Sequence, residues 1–194
     1  MGIRIFKRNI HWDYYIALES DIKVLSRYIE FDESNFKVHS IELSRLLLSA
    51  SSEVDVVMKE LCKLVSPDSK AENINGYKKI IKDNLPLIID SDVVCPLYAL
   101  TLSPWSNWKK EGNPEWWKSY NKVKHERSNN YKRANLKNVL NSVAALFVIN
   151  IHYNHALFVS EDDQYPYELR HSFSQLNPAT ELFRLNDDFL YIDD

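Results

Sequence analysis

The residues of this chain best suited to chemistry stand together in Trp116-Trp117-Lys118-Ser119-Tyr120-Asn121-Lys122-Val123-Lys124-His125-Glu126-Arg127. Asn121 and His125 are four residues apart, so on a helix they share one face, with Trp117 one turn earlier. Tyr120 and Lys124 form the neighbouring stripe, and Arg127 follows close to it. Such a surface combines an amide donor, an imidazole that titrates near neutrality and two or three cations. These groups suit cleavage of RNA by its own 2′-hydroxyl: a histidine moves the proton, and cations stabilise charge growing on the phosphoryl oxygens. That chemistry calls for no metal and no other cofactor. The competing reading is a structural helix, with Trp116 and Trp117 as core anchors, His125 near terminal carbonyls, and Lys132, Arg133 and Lys137 as solvated face.

Other chemistries are poorly served. Three glycines are too few for phosphate-cradling loops, and neither a P-loop nor a dinucleotide-binding fingerprint is present. Cys62 and Cys95 cannot build a disulfide framework or a cysteine-based zinc site, which favours a reducing compartment. His152 and His155 have a spacing compatible with metal ligation, but no carboxylate or cysteine stands beside them. Glu53 and Asp55 flank an apolar stripe, where a structural ion pair with the cations of the 116–127 helix is expected.

The formal net charge of -3 conceals an uneven distribution. Lys109 to Lys137 is basic, whereas from Ser160 onward Glu161, Asp162, Asp163, Glu168, Glu181, Asp187, Asp188, Asp193 and Asp194 face only Arg170 and Arg184. A basic centre beside an acidic tail implies an anionic partner, or a tail that masks a basic surface. No secretory signal is recognisable at the start, and the apolar run SVAALFVINIHY, interrupted by Asn150 and His152, reads as too short to cross a bilayer. A cytoplasmic protein with no membrane partner is expected.

Helical periodicity places a first helix from His11 to about Phe31 and a second from about Ser40 to Val65. The second carries Leu43, Leu47, Ala50, Val54, Met58, Leu61 and Val65 on one stripe. Asn113-Pro114-Glu115 opens a third helix, with the asparagine as cap, and a fourth runs from about Ala134 to Val159. The fourth is apolar on nearly all sides, which predicts burial against the core and against a second subunit. LPLIIDSDVVCPLYALTLSPW reads as extended, with a small hairpin. The expected fold is therefore all-α: an antiparallel bundle of about four main helices, with an inserted irregular or short β segment and an acidic C-terminal tail. Residues 1–159 form the helical domain, about 69–113 the insertion, and 160–194 the extension.

Two long helices, an insertion, a third helix with a histidine near its end and a long apolar fourth helix together resemble the HEPN superfamily (higher eukaryote and prokaryote nucleotide-binding domains). Many of its members are metal-independent ribonucleases or toxins of bacterial defence systems, and they dimerise so that two copies of an arginine–histidine motif face each other. In a frequent form, Arg-Asn-x-x-x-His, this chain matches the asparagine and histidine with Asn121 and His125, and has Tyr120 where the arginine stands. Lys118 lies at the outer limit of the family's spacing. Arginine carries a fixed charge and a planar donor fork that tyrosine lacks, so Lys124 and Arg127 are the substitutes. The resemblance implies His125 and Asn121 as catalytic residues. Nucleic acid would contact Lys118, Lys122, Lys124, Arg127, Lys132 and Arg133, with Trp117 and Tyr120 as stacking surfaces. It further implies RNA or a nucleotide as ligand, a homodimer formed through the third and fourth helices, and an antitoxin-like protein partner. The alternative is a non-catalytic binding module that lost the arginine.

Overall fold

Asn9, Ser40 and Asn73 each accept a backbone N–H through the side chain, and three helices begin just after them. These are α1 (Ile10–Leu25), α2 (Ile41–Val65) and α3 (Ile74–Asn84). A single helical turn, α4 (Leu87–Asp90), then leads into α5 (Glu115–Asn130), α6 (Leu136–Glu161) and α7 (Leu169–Ser174). The computed structural model describes residues 8–161 and 168–186, and within them the protein is mainly helical, with one small sheet.

α6 is the axis of the molecule. Every residue from Ser142 to Asn154 is buried. α2 lies along it with Leu43, Leu46, Leu47, Ala50, Val54, Val57, Met58, Leu61 and Cys62 all buried. Each large apolar side chain so enclosed contributes on the order of 2 kcal/mol by leaving water. Phe147 on α6 meets Trp12 and Tyr15 of α1, Phe173 of α7 and Phe183, at ring separations of 5.5–6.3 Å. The all-round apolar character of α6 thus has an intramolecular cause: neighbours within the same chain surround it. By length and composition α6 is long enough to cross a bilayer, contrary to the sequence expectation, but 67% of its most apolar window is buried inside the protein, as in a core helix.

α1 runs antiparallel to both α2 and α6. Asp21 meets Arg45 while His11 meets Glu53, and Asn9 meets Asn154 while Trp12 reaches Phe147. α2 and α6 run in the same sense, since the backbone of Leu136 bonds Val38 and the side chain of Tyr153 bonds Glu60. The long connection between them, which contains the insertion and α5, makes that direction reachable.

Within the insertion the expected hairpin forms between β1 (Val93–Cys95) and β2 (Leu100–Leu102), with Val93 opposite Leu102. Leu87–Asp90, expected as extended, is helical instead. A third strand, β3 (Arg184–Leu185), pairs antiparallel with the other edge of β1. It comes from the stretch read as an irregular acidic extension. Residues 168–186 pack on the body of the protein: Phe183 is buried, and the Glu19 carboxylate of α1 accepts the backbone N–H groups of Glu181 and Leu182 at 3.1 and 3.0 Å. The acidic residues Asp162, Asp163, Asp187, Asp188, Asp193 and Asp194 lie outside the described residues.

Candidate nucleic-acid interface on α5

α5 divides its residues cleanly between two faces. Trp116, Trp117, Ser119, Tyr120 and Val123 are buried, whereas Lys118, Lys122, Lys124, His125 and Arg127 are exposed. An aromatic chain holds the inner face in place: Trp105 packs on Trp108 and Trp116, Trp116 on Trp117, and Trp117 on Tyr120, at 4.5–5.7 Å between rings. The Trp116 indole donates to the carbonyl of Pro104 at 2.8 Å. Asn113, expected as the helix cap, donates to the side chain of Asn75 at 3.0 Å instead, and Pro114 occupies the cap position without a side-chain bond.

This packing corrects two of the expected ligand contacts. Trp117 and Tyr120 are 7% and 5% exposed, so their faces are used up inside the protein and offer no platform for bases. The Tyr120 hydroxyl reaches the edge of the site, where it accepts from Lys124 Nζ at 3.3 Å. The Lys124 ammonium also lies 5.4 Å from the Tyr120 ring centre.

Asn121 is half-buried and donates from Nδ2 to the carbonyl of Trp117 at 3.2 Å, which holds its amide along its own helix. His125 is exposed, and its ring makes no hydrogen bond to Asn121 or to any other described residue. The helix breaks at the next position, where Glu126 takes φ -139° and ψ 50°. Asn130 spans the break, donating to the Glu126 carbonyl at 3.0 Å. His125 therefore stands on the last regular turn before a change of direction, and Arg127 just beyond it.

The cations fall into two groups. Lys118 is held by Glu115 at 2.6 Å, and Lys122 lies 3.7 Å from Glu126, so both are partly neutralised. Lys124, Arg127, Lys132 and Arg133 are exposed and have no carboxylate partner among the described residues. Beyond the break, His39, Ser128, Asn129, Asn130, Tyr131, Lys132 and Arg133 line an open concavity of about 540 Å³. Its floor includes Tyr131, whose ring meets His39 edge-on at 5.6 Å. Its lining contains two amides, two hydroxyls, an imidazole and two cations, and no carboxylate.

A second cluster was not visible as a unit in the sequence. His11 of α1 sits between Glu53 (Nδ1 to Oε1, 2.6 Å) and Glu60 (Nε2 to Oε2, 3.2 Å), two α2 residues seven apart on one side of the helix. Tyr153 donates to Glu60 at 2.8 Å and packs edge-on against the imidazole. The hydrogen bond to Glu53 raises the His11 pKa above its ordinary value, against the opposing effect of burial, and Glu60 adds to the rise. The sequence reading placed either Glu53 or Asp55 in a structural ion pair with the cations of α5; Glu53 forms such a pair with a histidine of α1 instead. The signal available beforehand was the seven-residue spacing of two glutamates; the partner came from another helix.

His152 and His155 do not converge on a metal. Burial pushes His152 down to about 3, with Nε2 left without a partner inside the core, while His155 Nδ1 lies 2.8 Å from the Ser172 hydroxyl. Among the described residues no group of three or more histidine, cysteine, aspartate or glutamate side chains is arranged to hold a metal ion. No family model matches the chain, and no curated protein or solved structure matches it.

Proposed function

We propose that this chain is a HEPN-like cytoplasmic protein that binds RNA on the outer face of α5 and the turn into α6. We further propose that it cleaves the strand there without a metal, in a bacterial defence or toxin–antitoxin setting with a protein antitoxin as partner. One observation carries the reading: an exposed imidazole at a helix break, unbonded among the described residues, with Lys124 and Arg127 on either side of it in the chain and Lys132 and Arg133 on the concavity beyond, none of the four with an acidic partner among the described residues. Cations left uncompensated at a surface concentrate phosphate around them, and a histidine beside them is placed to move a proton. In this mechanism His125 takes the proton of a ribose 2′-hydroxyl and the 2′-oxygen attacks the adjacent phosphorus. The 5′-oxygen leaves with a proton from solvent, giving a 2′,3′-cyclic phosphate and a free 5′-hydroxyl. Lys124 and Arg127 stabilise the negative charge on the phosphoryl oxygens. Asn121, held to the Trp117 carbonyl through Nδ2, turns its Oδ1 to the sugar.

The burial of Tyr120 at the position of the family's arginine favours a second reading, a binding module without catalysis. One assay separates the two: purified protein with structured and single-stranded RNA in the presence of a chelator. Cleavage with cyclic-phosphate ends, reduced at least about 100-fold by His125→Ala, supports the enzyme. Salt-sensitive binding without cleavage leaves the module. Absence of both removes the RNA reading altogether.

A further inference from the structure

Between α1, α7 and β3 lies a cavity of about 430 Å³. That is the size of a small-molecule site, which generally measures about 300–1,000 Å³. Its wall is aromatic. Trp12, Phe173 and Phe183 line it, and each of the three packs on Phe147 of α6 at 5.9–6.3 Å between rings. The Trp12 indole is fixed further by donating to the carbonyl of Pro178 at 2.8 Å. Rings anchored from behind in this way are preorganised, so a ligand laid against them gives up little to ordering the site.

The charge in the lining is of one sign. Arg170 of α7 and Arg184 of β3 border the cavity, both exposed, and no carboxylate lines it among the described residues. Nearby acidic groups are committed elsewhere. Glu19 receives the Tyr15 and Thr180 hydroxyls and the backbone N–H groups of Glu181 and Leu182, while the Glu181 carboxylate holds Lys23. Arg184 has no ion pair among the described residues. A guanidinium beside an apolar wall meets less competition from water than one in bulk solvent, and its planar fork matches a carboxylate through two parallel hydrogen bonds. Rings on one side and a fixed cation on the other select an anion with a flat apolar body. The geometry points to a binding site for a small aromatic carboxylate, with its ring system against Trp12, Phe173 and Phe183 and its carboxylate on Arg184. The site is built on elements other than α5 and is independent of whether α5 acts on RNA.

Isothermal titration calorimetry of the full chain with 2-naphthoate tests this. One molecule should bind per chain, with a Kd below about 1 mM. The neutral counterpart, 2-naphthalenemethanol, should bind at least about tenfold more weakly, and so should acetate, which has the charge without the rings. Arg184→Ala, at an exposed position, should weaken binding of 2-naphthoate at least about tenfold. Arg184→Lys should restore only part of the loss, because an ammonium lacks the planar fork. Ala179 also lines the cavity from an exposed position, so Ala179→Trp should fill it and abolish binding. All three variants should keep the helical circular dichroism of the wild type. Failure of 2-naphthoate to saturate the wild type by about 5 mM overturns the inference. Equal affinity for the acid and the alcohol does so too, since it shows apolar adsorption alone, as does binding indifferent to Arg184→Ala or to Ala179→Trp.

Discussion

The salt dependence of RNA binding can be worked out from the charge pairing on α5 and its turn. Lys124, Arg127, Lys132 and Arg133 have no carboxylate partner among the described residues, so four cations are available to displace counterions from the strand. Lys118 and Lys122 are engaged by Glu115 and Glu126 and add little. For single-stranded nucleic acid the slope of log affinity against log salt is about -0.7 per neutralised phosphate, which gives about -2.8 here. Between 50 and 200 mM salt, affinity should then fall by about 50-fold. Lys132→Ala with Arg133→Ala removes two of the four contacts; the slope should drop to about -1.4 and the loss over the same range to about sevenfold. Lys118→Ala with Lys122→Ala should leave the slope close to that of the wild type. Fluorescence anisotropy with a labelled single-stranded RNA at four or five salt concentrations reads all three proteins. Equal slopes for wild type and the Lys132/Arg133 variant would refute the assignment of the concavity. A slope carried by Lys118 and Lys122 would refute the distinction between paired and unpaired cations.

Two further outcomes concern the scaffold. Glu19 is 3% exposed and receives the Tyr15 hydroxyl at 2.7 Å, the Thr180 hydroxyl and two backbone N–H groups, tying residues 180–182 to α1. Glu19→Gln sets an amide donor against those donors and should cost about 2–4 kcal/mol in urea unfolding, with faster hydrogen exchange at Leu182; a loss under about 0.5 kcal/mol would show that the carboxylate does not hold the segment. The His11 pKa is raised by Glu53, so protonation favours the folded state. That contribution is complete below the unfolded value near 6.5 and is lost as pH rises through the higher folded value. Wild type should accordingly unfold at lower urea concentration at pH 9 than at pH 6, and His11→Ala should narrow the gap; an undiminished gap would assign the pH dependence elsewhere.

The helical frame was legible because α1 and α2 each show a buried stripe at three- and four-residue steps and α6 is a long apolar run. What the sequence could not show is which elements surround which. α6 looked too apolar for one subunit because periodicity records how much of a helix is buried and is silent on what buries it. β3 escaped because two residues that pair with β1 carry no alternation to read. Leu87–Asp90 looked extended because a short apolar run does not distinguish one helical turn from a strand. At the candidate site, Trp117 and Tyr120 were ambiguous between core and ligand surface for the same reason: aromatic rings suit both, and only the contacts with Trp116 and with each other decide. The His11–Glu53–Glu60 group depends on three side chains up to 49 residues apart, which local spacing does not join.

The geometry of position 120 bears on how charge would be delivered at the proposed site. A side chain there points toward the interior beside Trp117, and only its outer end meets Lys124. An arginine would need a desolvated path past the aromatic chain before its guanidinium reached a phosphate, and burying that charge without a partner is costly. Tyrosine fills the same space at no such cost, and its hydroxyl fixes Lys124 by hydrogen bond and ring contact. Lys124 precedes His125 on the exposed face and Arg127 follows it across the break at Glu126, so the two cations bracket the imidazole along the chain. In the proposed mechanism the charge that a buried arginine would have supplied from beneath thus arrives from both sides at the surface. A straight helix would carry Arg127 about 200° around the axis from His125, at 100° per residue, and the break at Glu126 interrupts that path.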